Sequence, residues 1–529
     1  MLNLRSLLLL GLLTWTWNVR GQNLDISTLK TRAELTDYRE TSRYEDVMSF
    51  LEAIADNADQ LHLSSFGYST EGRSLPLLVY GDVWDASPEE IAGSDKIRVL
   101  ILANIHAGEV CGKEAMLMLA RSLATGEHAA WPDSLVLLIA PIYNADGNEK
   151  ISLYNRPKQY GPIGGMGQRP NAQGYDLNRD HMKLDSPEAR SLVQLMNDYD
   201  PHVVIDLHTT NGTVHAYHLT YSPPLNPNTS SAITSLLREE WLPFVTKQIK
   251  EKYTWDFYHY GNLPETGSKA ERGWYTFDHR PRFSNNYIGL RNRIGILSEA
   301  YSYATFEERI QATLRFVEEN IQYTYDHTST IRNLIERIDD ESIVGQKLAV
   351  RSKIAKSPVP VEILLGEVSE EANPFTGEVM WLRRDVRKPE QMPEFSTFQA
   401  TELETAPKTY FVPPALKTVL GRLETHGIWT EELTGPRTIE VERFRIDSTQ
   451  VADRPFQGHT ERTLYGAYER VMQTLPPGTL IVPADQALGR LVFYLLEPRS
   501  DDGLVDWGLM DDVLKDVKHY PIVREPAGR

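Results

Sequence analysis

Long apolar runs alternate with amphipathic ones through most of the chain. Ile97–Ala103, Ser134–Pro141 and His202–Leu207 are nearly unbroken apolar runs, the pattern of strands buried on both faces. Leu75–Tyr80 and Ile294–Leu297 are shorter runs of the same kind. Between them Tyr44–Leu61, Val110–Leu123, Pro187–Tyr199, Ser231–Lys252 and Phe306–Tyr323 carry apolar residues at helical spacing. Asp185 or Ser186 followed by Pro187 marks a helix start. Gly67–Arg73 and Asn144-Ala145-Asp146-Gly147 read as turns. Residues 150–180 show no period but are dense in Gly, Pro, Asn and Arg, the texture of a long functional loop. Strands alternating with helices predict an α/β fold: a mixed, mostly parallel sheet with helices on both faces.

After residue 335 the texture changes. Short strands are predicted within Ile343–Val361, at Glu362–Val368 and at Thr438–Arg445, and helices at Leu464–Leu475 and Asp485–Leu496. Ala400–Pro414 is polar and punctuated by proline. A chain of 529 residues exceeds what one core supports. The expected division is a unit at 22–335 and a smaller, mixed α/β C-terminal domain at 336–529, to which the sequence assigns no role.

The N-terminus begins with the weakly basic Met1–Arg5. Ser6–Trp17 is apolar but short for a bilayer span, and Val19-Arg20-Gly21 supplies small residues where a signal peptidase reads. Residues 1–21 read as a signal peptide, which places the mature chain in the periplasm or outside the cell. No other stretch is long and apolar enough to cross a membrane. Cys111 is the single cysteine, so no intramolecular disulfide is available, a pattern that suits a bacterial exported protein better than the eukaryotic secretory path. Cys111 itself reads as a small buried hydrophobe. The formal net charge of −18 argues against nucleic acid as a partner. Oligomeric state is not legible.

The chemistry gathers at the carboxyl ends of the predicted strands, where open α/β sheets place their ligands. His106 and Glu109 stand three apart in the loop after Ile97–Ala103. Short motifs of this kind arise often by chance. His208 closes the strand at 203–207 and Glu299 the strand at 294–297. Two imidazoles and a carboxylate leave one position of a tetrahedral zinc open, as a catalytic site requires. The loop Arg169–Arg179 adds guanidinium groups that match a carboxylate or an oxyanion. Asp176 could take the far N–H of a metal-bound histidine.

Together these residues resemble the zinc metallocarboxypeptidases of the carboxypeptidase A type, over about residues 40–325. The likeness rests on Gly67–Arg73, His106-Ala-Gly-Glu109, Asn144-Ala-Asp-Gly147, Arg169-x-Asn, Gly174-x-Asp-Leu-Asn-Arg179, Asp206-Leu-His208 and Glu299, in that order. The resemblance implies that His106, Glu109 and His208 bind one zinc ion and that Glu299 is the general base and acid. It implies that Arg169 polarises the scissile carbonyl and that Asp176 orients His106. Asn178 and Arg179 would hold the terminal carboxylate of a peptide substrate, with Tyr287 as the candidate mobile tyrosine. Residues 22–335 would then be the catalytic domain. The sequence departs from the family pattern at Ala145, where a proline is common, and at Asp180, where an asparagine is. The expected reaction is release of C-terminal residues by zinc-assisted hydrolysis. The rival readings are a zinc amidase acting on peptidoglycan peptides or N-acyl amino acids, and a non-catalytic binding protein on the same scaffold. No serine nucleophile motif, phosphate loop or HExxH occurs.

Overall fold

A computed structural model describes residues 25–528, so the expected signal peptide at 1–21 lies outside the described residues. Eight strands form the main sheet: β1 (Leu61–Tyr68), β2 (Ser74–Tyr80), β3 (Ile97–Ala103), β4 (Leu135–Ala140), β5 (Val203–Thr210), β6 (Leu219–Ser222), β7 (Phe257–His259) and β8 (Ile294–Tyr301). Their order is β1-β2-β4-β3-β5-β8-β6-β7. The central four, β4, β3, β5 and β8, run parallel to one another, and antiparallel pairings join them to the flanks. All residues of β3, β4 and β5 are buried, which is why these strands read as apolar runs and not as alternating ones.

Helices cover the sheet as the periodicity predicts. Cys111–Ala124 packs against Phe306–Asp326 and on β5, and Pro187–Tyr199 packs on β1. Ser186 caps the latter helix by accepting from the Ala189 N–H at 3.1 Å, with Pro187 in its first turn. The helical stretch at 231–253 widens to a π turn at Leu236–Trp241, just before Pro243, where an α-helical register would require a backbone N–H that proline lacks. The strand β1 was not expected: the amphipathic helix ends at Ala55, and Leu61 already belongs to the sheet.

The C-terminal part is strand-rich with two short helices, Lys417–Thr425 and Gly489–Leu496. Val361–Ala372 and Val379–Met392 form a long hairpin, and Arg437–Val451 and Arg462–Leu475 form a second inside a six-stranded sheet. The helix expected at Leu464–Leu475 is therefore a strand. Its apolar residues fit a helical period, but pairing from Arg437↔Leu475 to Val451↔Arg462, with one register shift between Ile446 and Ser448, prevails over that local pattern. This part docks closely on the first. Leu365 bridges His215, Glu394–Phe395 pairs with Trp274–Tyr275, and one buried cluster runs from the main sheet to Tyr410, Leu491 and Trp507. The helix Thr328–Asp339 crosses residue 335 without a break.

Candidate active site

Three adjacent strands deliver the site. After β3 the chain turns at Asn104, whose φ of 66° lies in the left-handed region that asparagine tolerates. That turn brings the buried His106 and Glu109 over the end of β5. In the parallel pairing of β5 with β8, His208 stands directly opposite Glu299, so both side chains share one face. Neither residue ends its strand: β5 continues to Thr210 and β8 to Tyr301, which embeds both in the ladder.

The ligating atoms of His106, Glu109 and His208 all lie within 4.8 Å of one another. His106 Nε2 meets Asp176 Oδ1 at 3.0 Å, and His208 Nε2 meets Asp206 Oδ2 at 2.8 Å. With each Nε2–H directed at a carboxylate, the Nδ1 of each ring faces inward, where its lone pair is available to a metal ion. These two Nδ1 atoms face each other at 3.3 Å, and they stand 2.9 Å and 3.0 Å from the two Glu109 oxygens. Lone pairs and a carboxylate converging on one point repel unless a cation lies among them. The donor set, two nitrogens and one oxygen, suits zinc.

Other side chains complete the cleft, whose volume is about 370 Å³. Arg169 chelates Asp176 Oδ2 through Nε at 3.0 Å and Nη2 at 2.8 Å. Asp176 also accepts from the Asn178 N–H at 2.9 Å, capping the turn Leu177–Arg179. Asn178 Oδ1 accepts from the Ser284 N–H, and Arg179 lies 3.9 Å over the Phe283 ring. Burial pushes the Glu299 carboxyl up to about 8, with His208 opposing and Glu109 reinforcing the rise. Its Oε2 is buried with no hydrogen-bond partner, so it is free to take a proton from a reacting group. Burial also disfavours charge on Glu109, yet His106 and Arg156 hold that carboxyl well below its usual range.

The structure thus brings together His106, Glu109, His208, Glu299, Arg169, Asp176, Asn178 and Arg179. Tyr287, expected beside them as the mobile tyrosine, does not line the cleft. It is fully buried away from the cleft, with its hydroxyl 2.8 Å from His426 Nδ1 and accepting from Arg291 at 3.2 Å. The helix Ser284–Leu290 turns it into the packing between the two parts of the chain. The tyrosine that does line the cleft is Tyr260, next to Phe277, Phe283 and Leu297. Arg156 was also missed as an individual residue. Its Nη2 donates to Glu109 Oε1 at 2.5 Å, and the only signal was its place in the Arg-rich loop 150–180. Gly108 makes room for it, since a Cβ there would meet Arg156 Nε at 2.7 Å and the Gly167 carbonyl at 2.9 Å. Asp206 was legible only as part of the Asp206-Leu-His208 motif. A larger groove runs along β1, but it lacks these convergent donors.

A family model described as zinc carboxypeptidase matches residues 47–277. Residues 47–277 belong to the zinc carboxypeptidase family. Among curated relatives, Carboxypeptidase 2 of Trichophyton rubrum is 24% identical over 508 residues, covering 91% of this chain and 86% of that one. Carboxypeptidase E of Caenorhabditis elegans is 30% identical over 166 residues, covering 30% of this chain and 33% of that one. A solved metallo-carboxypeptidase from Burkholderia cenocepacia is similar over 55% of this chain and 70% of its own, with 17% identity and a TM-score of 0.39. This zinc carboxypeptidase is a hydrolase of peptide bonds with zinc as its cofactor. The rival amidase and binding-protein readings are not favoured. The family match ends before β8, so Glu299 joins the site through the β5–β8 register alone. No helix among the described residues is long and apolar enough to cross a membrane.

Proposed function

We propose that His106, Glu109 and His208 hold the zinc ion and that Glu299 moves the protons of peptide hydrolysis. The inward-facing Nδ1 atoms and the Glu109 carboxylate support this reading more than any other observation. Zinc in such a site polarises a carbonyl and lowers the pKa of water. Glu299, opposite His208, takes a proton from the attacking water and returns it to the leaving amine. Arg169, half-exposed at the cleft, stabilises charge developing on the carbonyl oxygen. Asp206 and Asp176 fix the two imidazole rings.

Arg179 and Asn178 bind the terminal carboxylate of the substrate, which makes the enzyme an exopeptidase. The side chain of the departing residue packs on Phe277, Phe283 and Leu297, which form an apolar wall. We therefore assign a preference for aromatic or large aliphatic C-terminal residues. Residues 1–21 act as an export signal, residues 22–335 form the catalytic domain and 336–529 a second domain docked against it.

Three measurements test this. Glu299→Gln should lower turnover about 10²–10⁴-fold while zinc content stays at that of the wild type. Near-normal turnover in that variant would remove Glu299 from the mechanism. A peptide ending in free phenylalanine should be cleaved, and its C-terminal amide should not. Equal cleavage of both would rule out carboxylate recognition. Chelation should abolish activity and added zinc should restore it.

A further inference from the structure

The part of the chain without an assigned role reaches the active site at one point. The hairpin of Arg437–Val451 and Arg462–Leu475 ends in a loop whose tip is Phe456-Gln457-Gly458-His459. Phe456 and His459 exchange backbone hydrogen bonds at 2.7 Å and 3.0 Å, closing a two-residue turn. Both central residues have positive φ, 49° at Gln457 and 83° at Gly458. A turn of this kind favours Asn-Gly or Asp-Gly, because the left-handed region is costly for most side chains. Gln457 departs from that preference, and its side chain is engaged: Oε1 accepts from the Asp176 backbone N–H at 2.8 Å. Strain retained at a residue that touches a reactive centre calls for a functional account.

Asp176 is the hub of the loop that carries Arg169, Asn178 and Arg179 into the cleft. Its carboxylate takes His106 Nε2, two nitrogens of Arg169 and the Asn178 N–H. The same hairpin loop holds the neighbouring segments as well. His459 Nε2 lies 2.6 Å from Asp185, and Glu461 lies 2.9 Å from Arg282, the residue before Phe283. Both walls of the cleft are thus tied to one turn from the C-terminal part.

We propose that Gln457 is a positioning residue for the active site and that the 452–461 turn sets the geometry of the carboxylate-binding loop. The proposal rests on the reading that Asn178 and Arg179 bind the substrate carboxylate. Gln457 touches neither substrate nor zinc and acts through the Asp176 backbone. An asparagine would suit the turn better, but it is one methylene shorter and cannot make the same reach. A glutamate keeps an acceptor at the same distance.

The test uses the full-length, zinc-loaded enzyme with a peptide ending in phenylalanine, and 3-phenylpropanoate as a carboxylate probe without a scissile bond. Gln457→Asn should leave thermal stability equal to or above that of the wild type, yet raise KM and the inhibition constant of 3-phenylpropanoate about three- to tenfold, the range for one lost hydrogen bond. Gln457→Ala should match it in KM, with kcat changed less. Gln457→Glu should recover most of the affinity. If the asparagine variant binds 3-phenylpropanoate as the wild type does, or if its KM rises only in step with a loss of stability, the turn is merely structural and the proposal fails. If the wild type itself does not bind the probe, the assignment of the cleft fails first, and the Gln457 variants are then compared by the affinity with which they retain zinc. An unchanged affinity there also counts against the proposal.

Discussion

At the scale of single residues, the site depends on groups that hold the ligands as much as on the ligands. Glu109 faces both histidines, and the Thr209 N–H donates to its Oε2 at 2.9 Å. Arg156 supplies the charge that keeps Glu109 ionised in a buried setting, through a short charge-assisted hydrogen bond. A buried carboxylate deprived of that partner is disfavoured in its charged, metal-binding form. Arg156→Ala should therefore weaken zinc binding about 10–100-fold, the usual cost of losing an outer partner of a ligand. Competition with a chelator of known affinity measures this directly. Unchanged affinity would show that Thr209 and the histidines suffice to hold Glu109.

At the scale of elements, the site depends on how closely a helix lies on the sheet. The helix Cys111–Ala124 starts two residues after Glu109 and crosses β5 one residue before His208. Gly112 permits that approach: a Cβ there would come within 2.8 Å of Leu207 Cβ. Gly112→Ala should push the helix off β5 and move Glu109 away from His208. The expected cost is about 1–3 kcal/mol of stability, typical of overpacking, measured by denaturant unfolding, together with weaker zinc binding. Intact zinc affinity with the same loss of stability would mean that the loop Asn104–Val110 absorbs the shift. β3, β4, β5 and the helix Pro187–Tyr199 were legible to within a few residues, because strands buried on both faces and a capped amphipathic helix carry their environment in their own composition. The convergence of His106, Glu109, His208 and Glu299 followed from strand ends on one sheet edge. The place of Tyr287 is not legible in the sequence, because it is set by His426 and Arg291, contacts made across the docking of the two parts. The strand Arg462–Leu475 has the pattern of a helix for a similar reason, since its partner strand and not its own period decides its conformation. Arg156 and Gln457 were invisible singly, because each acts through a contact distant in sequence.

At the scale of the whole molecule, burial of titratable groups sets a pH window for stability. Burial lowers His202, His215, His218, His259 and His426 from 6.5 to about 3. Between pH 3 and 6.5 these rings stay neutral in the fold but take up protons in the unfolded chain, so stability rises with pH through that interval. Burial, reinforced by Asp502, raises Asp506 from 3.8 to about 8. From pH 4 to 8 the folded chain holds that proton and the unfolded chain does not, so this group lowers stability as pH rises. His279, raised to about 9 by Asp278 and Asp501 against the effect of burial, acts in the same direction from 6.5 upward. Below 6.5 the five histidines outnumber the opposing groups. Above 6.5 they no longer titrate, and Asp506 and Glu299, each raised to about 8, and His279, raised to about 9, lower stability as pH rises. Stability of the metal-free protein should therefore pass through a maximum near pH 6.5–7 and decline on both sides. Urea unfolding midpoints at constant ionic strength from pH 4 to 9 measure the curve. A midpoint that climbs steadily to pH 9 would mean that Asp506 is ionised in the fold, held by Arg282 at 3.3 Å more strongly than its burial opposes. Asp506→Asn separates the two cases, because it should make the alkaline limb shallower while leaving the acid limb, which belongs to the histidines, in place.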